Sequence, residues 1–163
     1  MHQPCSRNAV TSDSATIERA TPDDVAAIGD FDVLLTGRDR QREIVRESVA
    51  AGTCLVARAG GALAGFVTWD RGFFGRPFVR LLVVARAQRR RGLGRALIAA
   101  TECEAARYGE LFVSTEHSNT PMQTLLAALD YIPSGSIDNI NAPGNLELVY
   151  YKRLDGASAQ ASE

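Results

Sequence analysis

The stretch from residue 78 to residue 100 constrains the fold most, and it reads FVRLLVVARAQRRRGLGRALIAA. Its first part, Phe78–Ala85, is rich in β-branched and large apolar residues and is too short for a helix of its own. That composition predicts a central strand buried on both faces. Gln88–Arg95 then brings two glycines and an arginine cluster, and apolar residues recur at helical spacing after it. The pattern predicts a strand, a glycine turn and an amphipathic helix in that order.

The predicted turn is a candidate anion site. A turn that leads into a helix N-terminus exposes backbone N–H groups that have no partner within the helix. Gly92 and Gly94 lack the Cβ atoms that would hold a phosphate away from this backbone. The arginines that add positive charge around the turn are Arg89, Arg90, Arg91 and Arg95. We therefore expect a ligand that carries phosphate groups.

Two common phosphate-binding motifs do not fit the turn. A Walker loop needs Gly-Lys-Ser/Thr, whereas Gly94 is followed by Arg95 and Ala96. The dinucleotide-binding fingerprint needs a Gly or Ala where this chain has Leu97. A solvated arginine run that caps an ordinary helix is the structural alternative to a phosphate site.

The turn resembles the pyrophosphate loop of the GNAT superfamily of acetyl-CoA-dependent N-acetyltransferases. The motif of that family reads Arg or Gln, two residues, Gly, one residue, then Gly or Ala. Arg89, Gly92 and Gly94 match it, and Leu82 and Val84 match the Leu-x-Val strand end that precedes it in the family. The resemblance implies that the chain binds acetyl-CoA as a cosubstrate and uses no metal.

The chain departs from the family pattern at several positions, including Asp130-Tyr131, where the family has Gly-Phe. Arg86 stands where the family usually has Pro, and Arg90 stands where a further Gly is common. Asn119 matches the family Asn that follows the fifth strand and opens a helix. The family tyrosine in that helix, the usual proton donor to the leaving thiolate, is replaced by Leu126.

The resemblance also implies a set of cofactor-binding residues. In this fold the fourth and fifth strands separate at their C-terminal ends, and the pantetheine arm pairs with backbone groups in the gap. One N–H there would hold the thioester carbonyl as a tetrahedral intermediate forms. The residues implied to bind acetyl-CoA are Leu82, Val83, Val84, Arg89, Arg90, Arg91, Gly92, Leu93, Gly94, Arg95 and Asn119. Core packing is the alternative role for the strand residues, and turn formation is the alternative for Asn119.

The catalytic base is sought near the same gap, because an amine attacks only after it loses a proton. Glu116 and His117 follow the fifth strand beside Asn119, and we take them as the catalytic candidates, with Glu116 first. Asp70 is a further candidate at the end of a neighbouring strand. For each of them, a solvent-exposed polar side chain is the alternative.

The acceptor is expected to be a small-molecule or protein amine. The side chains available to surround it are Trp69, Arg71, Phe73, Phe74, Arg76 and Tyr150. They do not identify the acceptor, and the sequence leaves a homodimer open.

Composition limits the other partners. The formal net charge is −1 and the pI is about 6.1, which argues against a nucleic-acid or membrane partner. The three cysteines, Cys5, Cys54 and Cys103, show no metal-ligand spacing, so we expect reduced thiols rather than disulfides or a zinc site. The N-terminal segment lacks the apolar run of a signal peptide, and we expect a cytoplasmic protein.

The predicted fold class is α/β (α+β), in one GNAT-like domain over residues 15–154. Residues 1–14 are expected to form a disordered lead and residues 155–163 a frayed tail. The predicted element order is β-α-α-β-β-β-α-β-α-β-β, which is the order of the GNAT fold. It implies a mixed, mostly antiparallel, twisted sheet of about seven strands, with splayed fourth and fifth strands and about four flanking helices.

Three functions are compatible with these residues. The favoured one is transfer of an acetyl group from acetyl-CoA to a primary amine. The second is a catalytically weak acyl-CoA-binding sensor, which the missing tyrosine favours. The third is an RNA-binding module that uses the arginine cluster.

Overall fold

The computed structural model describes residues 11–12, 15–36 and 41–155. Most of the predicted N-terminal lead and nearly all of the predicted C-terminal tail lie outside the described residues. Within the lead, Thr11 pairs with Thr16 and Ser12 with Ala15, so two of its residues form a short strand.

The secondary structure follows the predicted order, with that short strand added at the start. The strands are β1 (Thr11–Ser12), β2 (Ala15–Arg19), β3 (Cys54–Ala59), β4 (Ala62–Phe73), β5 (Arg76–Val84), β6 (Glu110–Glu116), β7 (Ile132–Asp138) and β8 (Leu146–Arg153). The helices are α1 (Val25–Thr36), α2 (Arg42–Ala51), α3 (Leu93–Ala105) and α4 (Thr120–Ala128). The predicted fourth and fifth strands are therefore β5 and β6.

The chain divides into two compact units. The first comprises residues 1–70 and 80–103, and the second comprises residues 71–79 and 104–163. Both β5 and α3 contribute residues to each unit. The mixed, mostly antiparallel sheet and the four helices confirm the predicted fold class.

The first unit orders its strands β1-β2-β3-β4-β5. Gly60 and Gly61 form the turn between β3 and β4 with φ of 58° and 80°, as expected for a two-residue hairpin. Ile28 of α1 and Val45 of α2 are fully buried against Phe66 of β4. These apolar contacts form the core of the unit.

A second hairpin joins β4 to β5. Strand β4 continues to Phe73, and β5 begins at Arg76. Phe74 and Gly75 form the turn with φ of 51° and 74°. The sequence did not indicate this turn because phenylalanine rarely adopts a positive φ.

The second unit orders its strands β5-β6-β8-β7, with β5 and β6 parallel and the other pairs antiparallel. The β5–β6 ladder contains the pairs Phe78↔Phe112 and Val79↔Val113, and β6 continues to Glu116.

The prediction that the central strand is buried on both faces is wrong in part. In β5, Val79 is buried while Arg80 is exposed and bonded to Asp70, at 2.8 Å. Phe78 is half-buried, and its ring stacks on the Phe73 ring with 5.0 Å between the ring centres. One face of β5 therefore carries side chains at the surface.

The cysteines differ from their predicted state. Cys54 is a free thiol in the core, and burial, with a smaller effect of the Asp24 charge, raises its pKa to about 12. Cys103 is disulfide-bonded. The expectation of reduced thiols is therefore wrong for Cys103.

Among the helices in the described ranges, none is long and apolar enough to cross a membrane.

Candidate functional site

The glycine turn predicted from the sequence links β5 to α3 in the first unit. A 3-10 turn at Arg86–Gln88 follows the strand, and the Gln88 N–H donates to the Ala85 carbonyl at 2.8 Å. The chain then reverses at Arg90, with φ 61°, and at Gly92, with φ 81°. The Ala96 N–H donates to the Gly92 carbonyl at 3.0 Å, which begins the helical bonding of α3. Gly92 is needed for its φ, since glycine alone adopts that conformation freely.

The turn presents unpaired backbone donors, as the anion-site prediction requires. Of the described residues, none accepts a hydrogen bond from the backbone N–H groups of residues 91–95. These donors surround the start of a helix of 13 residues, where the helix dipole adds partial positive charge. Gly94 lies in the first helical turn and has an ordinary φ, so backbone conformation does not require a glycine there. What Gly94 contributes is the absence of a side chain beside the backbone donors.

The arginines of the turn differ from arginines elsewhere in the described chain. Arg46, Arg58, Arg76 and Arg80 each form an ion pair with a carboxylate. By contrast, no carboxylate pairs with the five arginines around the turn within the described ranges. Those five, Arg86, Arg89, Arg90, Arg91 and Arg95, are all exposed. Positive charge without internal counter-charge fits a phosphate ligand.

Two of these guanidinium groups are held in place by neutral acceptors. Arg89 Nε donates to the Val84 carbonyl at 3.1 Å, and Arg91 Nη1 donates to Gln88 Oε1 at 3.4 Å. Arg89 therefore braces the end of β5, a role that sequence reasoning missed. The bond depends on a carbonyl five residues earlier, which no sequence pattern indicates.

The predicted pantetheine-binding strand end is Leu82–Val84. Val83 is buried, and Leu82 and Val84 are half-buried, so each packs as a strand residue. Strand β4 approaches closely here, because a Cβ on Gly65 would lie 2.8 Å from the Val83 carbonyl oxygen. Core packing thus accounts for these side chains, and their backbone role stays a prediction.

The exit of β6 in the second unit carries the catalytic candidates. Thr115 is buried, whereas Glu116 is half-buried on the opposite face of the strand. His117 is exposed, and its backbone N–H donates to the Leu146 carbonyl at 2.8 Å. Glu116 therefore lies on the face of β6 that is less completely buried, which the sequence alone could not determine.

Asn119 caps helix α4, although the neighbouring Thr120 is also a cap-type residue. Its Oδ1 accepts a hydrogen bond from the Met122 N–H at 3.2 Å. Gln123 Nε2 donates to the His117 carbonyl at 2.7 Å and fixes the same turn. Both Asn and Thr are good N-cap residues, so adjacent candidates left the sequence ambiguous. The capping bond engages the amide oxygen, and the Asn119 NH₂ group is the part that could contact a ligand.

Sequence reasoning missed a second carboxylate beside Glu116. The cross-strand register places Glu147 of β8 directly opposite Glu116. Ser114 donates to one Glu147 oxygen at 2.6 Å, and Asn141 donates to the other at 2.9 Å. The signal was a single acidic residue near the start of the otherwise apolar segment LELVYY. The position of that acidic residue opposite Glu116 depends on the β6–β8 register, which joins residues more than thirty positions apart.

Leu126, which replaces the family tyrosine, is fully buried. Tyr131 and Tyr150 are also buried, at 4% and 7% exposure. Tyr150 was expected to border the acceptor, and its burial leaves little of its surface for that role. Tyr131 and Tyr150 therefore belong to the core.

Of the other aromatic residues expected near the acceptor, Trp69 is buried in the first unit, whereas Phe73 and Phe74 belong to a cluster in the second unit. Phe73 stacks on Phe78 and contacts Phe112, with 5.3 Å between the Phe73 and Phe112 ring centres. Phe74 at the hairpin tip is 89% exposed. Arg71 lies over the Tyr108 ring, and Arg76 pairs with Glu110. Both arginines thus have partners within their own unit.

Comparison with known proteins identifies the family of this chain. The model of the acetyltransferase (GNAT) family matches residues 21–131, which is more than half of the chain. A GNAT-family acetyltransferase from Bacillus cereus ATCC 10987 has 28% sequence identity and a TM-score of 0.76. That match covers 86% of this chain and 97% of the other. No curated protein sequence matches this chain.

Two more distant structures share the fold. The yncA protein from Salmonella typhimurium, described with its cofactor acetyl-CoA, has 21% identity and a TM-score of 0.73, over 93% of this chain and 100% of that chain. Arabidopsis thaliana Naa50, in complex with the bisubstrate analogue CoA-Ac-MVNAL, has 16% identity and a TM-score of 0.74. This second match covers 86% of this chain and 99% of Naa50.

Proposed function

Because this chain belongs to the GNAT family of acetyltransferases, we propose that it transfers the acetyl group of acetyl-CoA to a primary amine. The observation that carries the proposal is the β5–α3 turn, where the backbone N–H groups of residues 91–95 find no acceptor among the described residues. The arginines around them, which pair with no carboxylate among the described residues, supply the positive charge that a pyrophosphate needs.

The donor is held in two ways in this proposal. The turn binds the pyrophosphate mainly through backbone donors, since Gly92 and Gly94 let a phosphate approach. Backbone groups near Leu82–Val84 pair with the pantetheine amides, and one N–H there polarises the thioester carbonyl. Asn119 contributes its NH₂ group to the same ligand.

The reaction in this proposal is direct attack of the amine on the thioester carbonyl, through a tetrahedral intermediate. Glu116 takes the amine proton, directly or through water, and His117 is the second candidate for this step. The half-buried position of Glu116 at the end of β6 supports this assignment. The thiolate leaves unprotonated or takes a proton from water, because Leu126 offers none.

The acceptor in this proposal is a small molecule or a protein amine. Naa50 is described with an analogue that joins CoA to a peptide, and another structural neighbour is an aminoglycoside 6'-N-acetyltransferase complexed with coenzyme A. Those acceptors belong to the neighbours, and they define the two classes that an amine panel should include.

We propose a cytoplasmic location, where acetyl-CoA would be supplied. The disulfide at Cys103 is uncommon in that compartment. Rapid alkylation of the protein in its source cells, followed by mass spectrometry, tests this point. Full alkylation of Cys103 would support the cytoplasmic location, and a Cys103 that is protected from alkylation would contradict it.

Calorimetry with a Gly94→Val protein tests the donor site. A valine side chain at the first turn of α3 would block the backbone donors from a phosphate, so acetyl-CoA affinity should fall severely while the domain stays folded. Circular dichroism and thermal unfolding provide the folding control. A folded Gly94→Val protein with unchanged acetyl-CoA affinity would remove the proposed site.

Kinetics of a Glu116→Gln protein test the base. We expect kcat/KM at neutral pH to fall by roughly 10²-fold, the range typical of losing a general base, with acetyl-CoA affinity almost unchanged. The defect should shrink at high pH, where more of the amine is already neutral. Glu110→Gln, at the opposite end of the same strand, is the control and should keep kcat/KM. A Glu116→Gln profile that overlays the parent would transfer the role to His117, Asp70 or water.

The second candidate is an acyl-CoA-binding sensor of the same fold. The fully buried Leu126 at the position of the usual tyrosine favours it, since that position then supplies no proton donor. Tight acetyl-CoA binding without amine-dependent turnover would identify the sensor.

A further inference from the structure

A row of large apolar side chains crosses one face of the sheet in the second unit. Strand register aligns one residue from each of the four strands, and in spatial order these are Phe78, Phe112, Tyr151 and Ile132. Residues that are directly paired between neighbouring strands share a face of the sheet. The row therefore extends from β5 to β7.

Both ends of this row lie at the surface. Ile132, at one end, is 58% exposed. At the other end, Phe73 of the β4–β5 hairpin stacks on Phe78, and its ring centre lies 5.1 Å from that of Phe74. We call the four residues of the row, together with Phe73 and Phe74, the apolar stripe. A contiguous apolar patch at the surface of a protein marks an interaction site.

Phe74 adds an independent sign that the stripe meets a partner. Its side chain is 89% exposed, and its φ is 51°, in the left-handed region that a phenylalanine adopts only at a cost in stability. Backbone strain of this kind is found mainly where the strained residue has a function. The turn thus holds a large apolar ring in water, where it contributes little to the fold.

Charges of alternating sign lie beside the stripe. Glu110 of β6 is paired in register with Arg153 of β8, and each is two positions from a stripe residue on its own strand, so both share the face of the stripe. Arg76 of β5 forms an ion pair with Glu110, and Asp130 is exposed just before β7. From β5 to β7 the signs therefore run positive, negative, positive, negative.

We propose that the apolar stripe is the surface through which two copies of this chain form a dimer. In a symmetric dimer both copies use the same patch, so the patch must be complementary to itself. A two-fold axis between β6 and β8 places β5 opposite β7 of the second copy, and β6 opposite β8 of the second copy. Phe112 then meets Tyr151 of the second copy, and Phe78 meets Ile132 of the second copy.

The charges decide in favour of a second copy as the occupant. Under the same rotation Glu110 faces Arg153 of the second copy, and Arg76 faces Asp130 of the second copy. Because the signs alternate across an even number of positions, each charge meets its opposite. This complementarity supports the dimer independently of the proposed function.

Sedimentation velocity at roughly 10–50 μM protein tests the dimer. The parent protein should sediment with about twice the 17.5 kDa mass of one chain. Glu110→Arg and Arg153→Glu should each weaken the dimer by roughly tenfold or more, because each puts two pairs of like charges across the interface. Arg46→Glu, an exposed charge reversal on α2 in the first unit, is the control and should remain a dimer.

Mixing the two interface variants gives the decisive result. Glu110→Arg carries positive charge at both positions, and Arg153→Glu carries negative charge at both. An equimolar mixture should therefore form a mixed dimer, although each variant alone is weakened. Recovery of the dimer also shows that both variants are folded.

Phe74→Asn tests the apolar part of the surface. Asparagine tolerates a positive φ, so this variant should melt no lower than a monomeric parent while its dimer is weakened. A parent protein that sediments as a monomer would overturn the inference, whatever its enzymatic activity. A mixture of the two charge variants that stays monomeric, or a Phe74→Asn dimer as tight as the parent dimer, would also overturn it.

Discussion

Gly65 gives the sharpest test of how β4 packs against β5. A Cβ at this position would lie 2.8 Å from the Val83 carbonyl oxygen and 3.4 Å from Leu97 Cδ1. Carbon and carbonyl oxygen in a close contact stay beyond about 3.3 Å. Gly65→Ala therefore requires one strand to move by about 0.5 Å, and a backbone oxygen within a strand cannot rotate away.

The expected cost is that of overpacking a core. Such changes destabilise by about 1–3 kcal/mol, and each kcal/mol lowers the melting temperature of a chain of this size by about 2–4 °C. Gly65→Ala should thus melt about 4–8 °C below the parent for a cost near 2 kcal/mol. Thermal unfolding by circular dichroism measures this, and urea unfolding gives the change in free energy.

Gly29→Ala is the matched control. Its Cβ would meet Arg42 Cγ at 3.6 Å, an ordinary contact, and alanine is the better residue within helix α1. This variant should be more stable than the parent by about 0.5–1 kcal/mol. Gly65→Ala melting at or above the parent, in a series where Gly29→Ala behaves as expected, would refute the close approach of the two strands.

Three further predictions concern a cap, a core position and a thiol. Asn119→Ala should lose about 1 kcal/mol of unfolding free energy, because Met122 N–H loses its acceptor; an unchanged urea midpoint would contradict the cap. Leu126→Tyr should melt lower by overpacking a fully buried site, and a melting temperature at or above the parent would show room for a tyrosine there. Cys54 should react with a thiol reagent at pH 8 only after unfolding, and labelling of the folded protein would contradict its burial. Since its pKa rises from 9.0 to about 12 on folding, the associated stability is complete below pH 9 and declines between these values.

Local patterns in the sequence predicted much of the fold. Gly60 and Gly61 indicated a hairpin, and Gly52 ends α2 with φ 72°, as a C-cap glycine should. The Phe74–Gly75 turn was missed because a phenylalanine at positive φ has no sequence signature. The element order was correct because helical and strand periodicities are local properties of the chain.

The candidate site was predicted only in part, because its remaining features are non-local. The glycines and arginines of the turn are adjacent in sequence, so the motif was visible. That Arg90 and its neighbours find no carboxylate partner in the described part of the chain depends on how the chain folds. The pairing of Glu116 with Glu147 depends on strand register in the same way. Register joins residues that no local pattern connects.

The central claim is acetyl transfer from acetyl-CoA to an amine, and product analysis tests it most directly. Purified protein is incubated with acetyl-CoA and a panel of small primary amines and peptides, and mass spectrometry follows CoA release and acetylated product together. The account predicts CoA release that depends on at least one amine, with one acetyl group gained by that amine and both signals lost in Gly94→Val. Acetyl-CoA binding without amine-dependent release or acetylated product across the panel would contradict it.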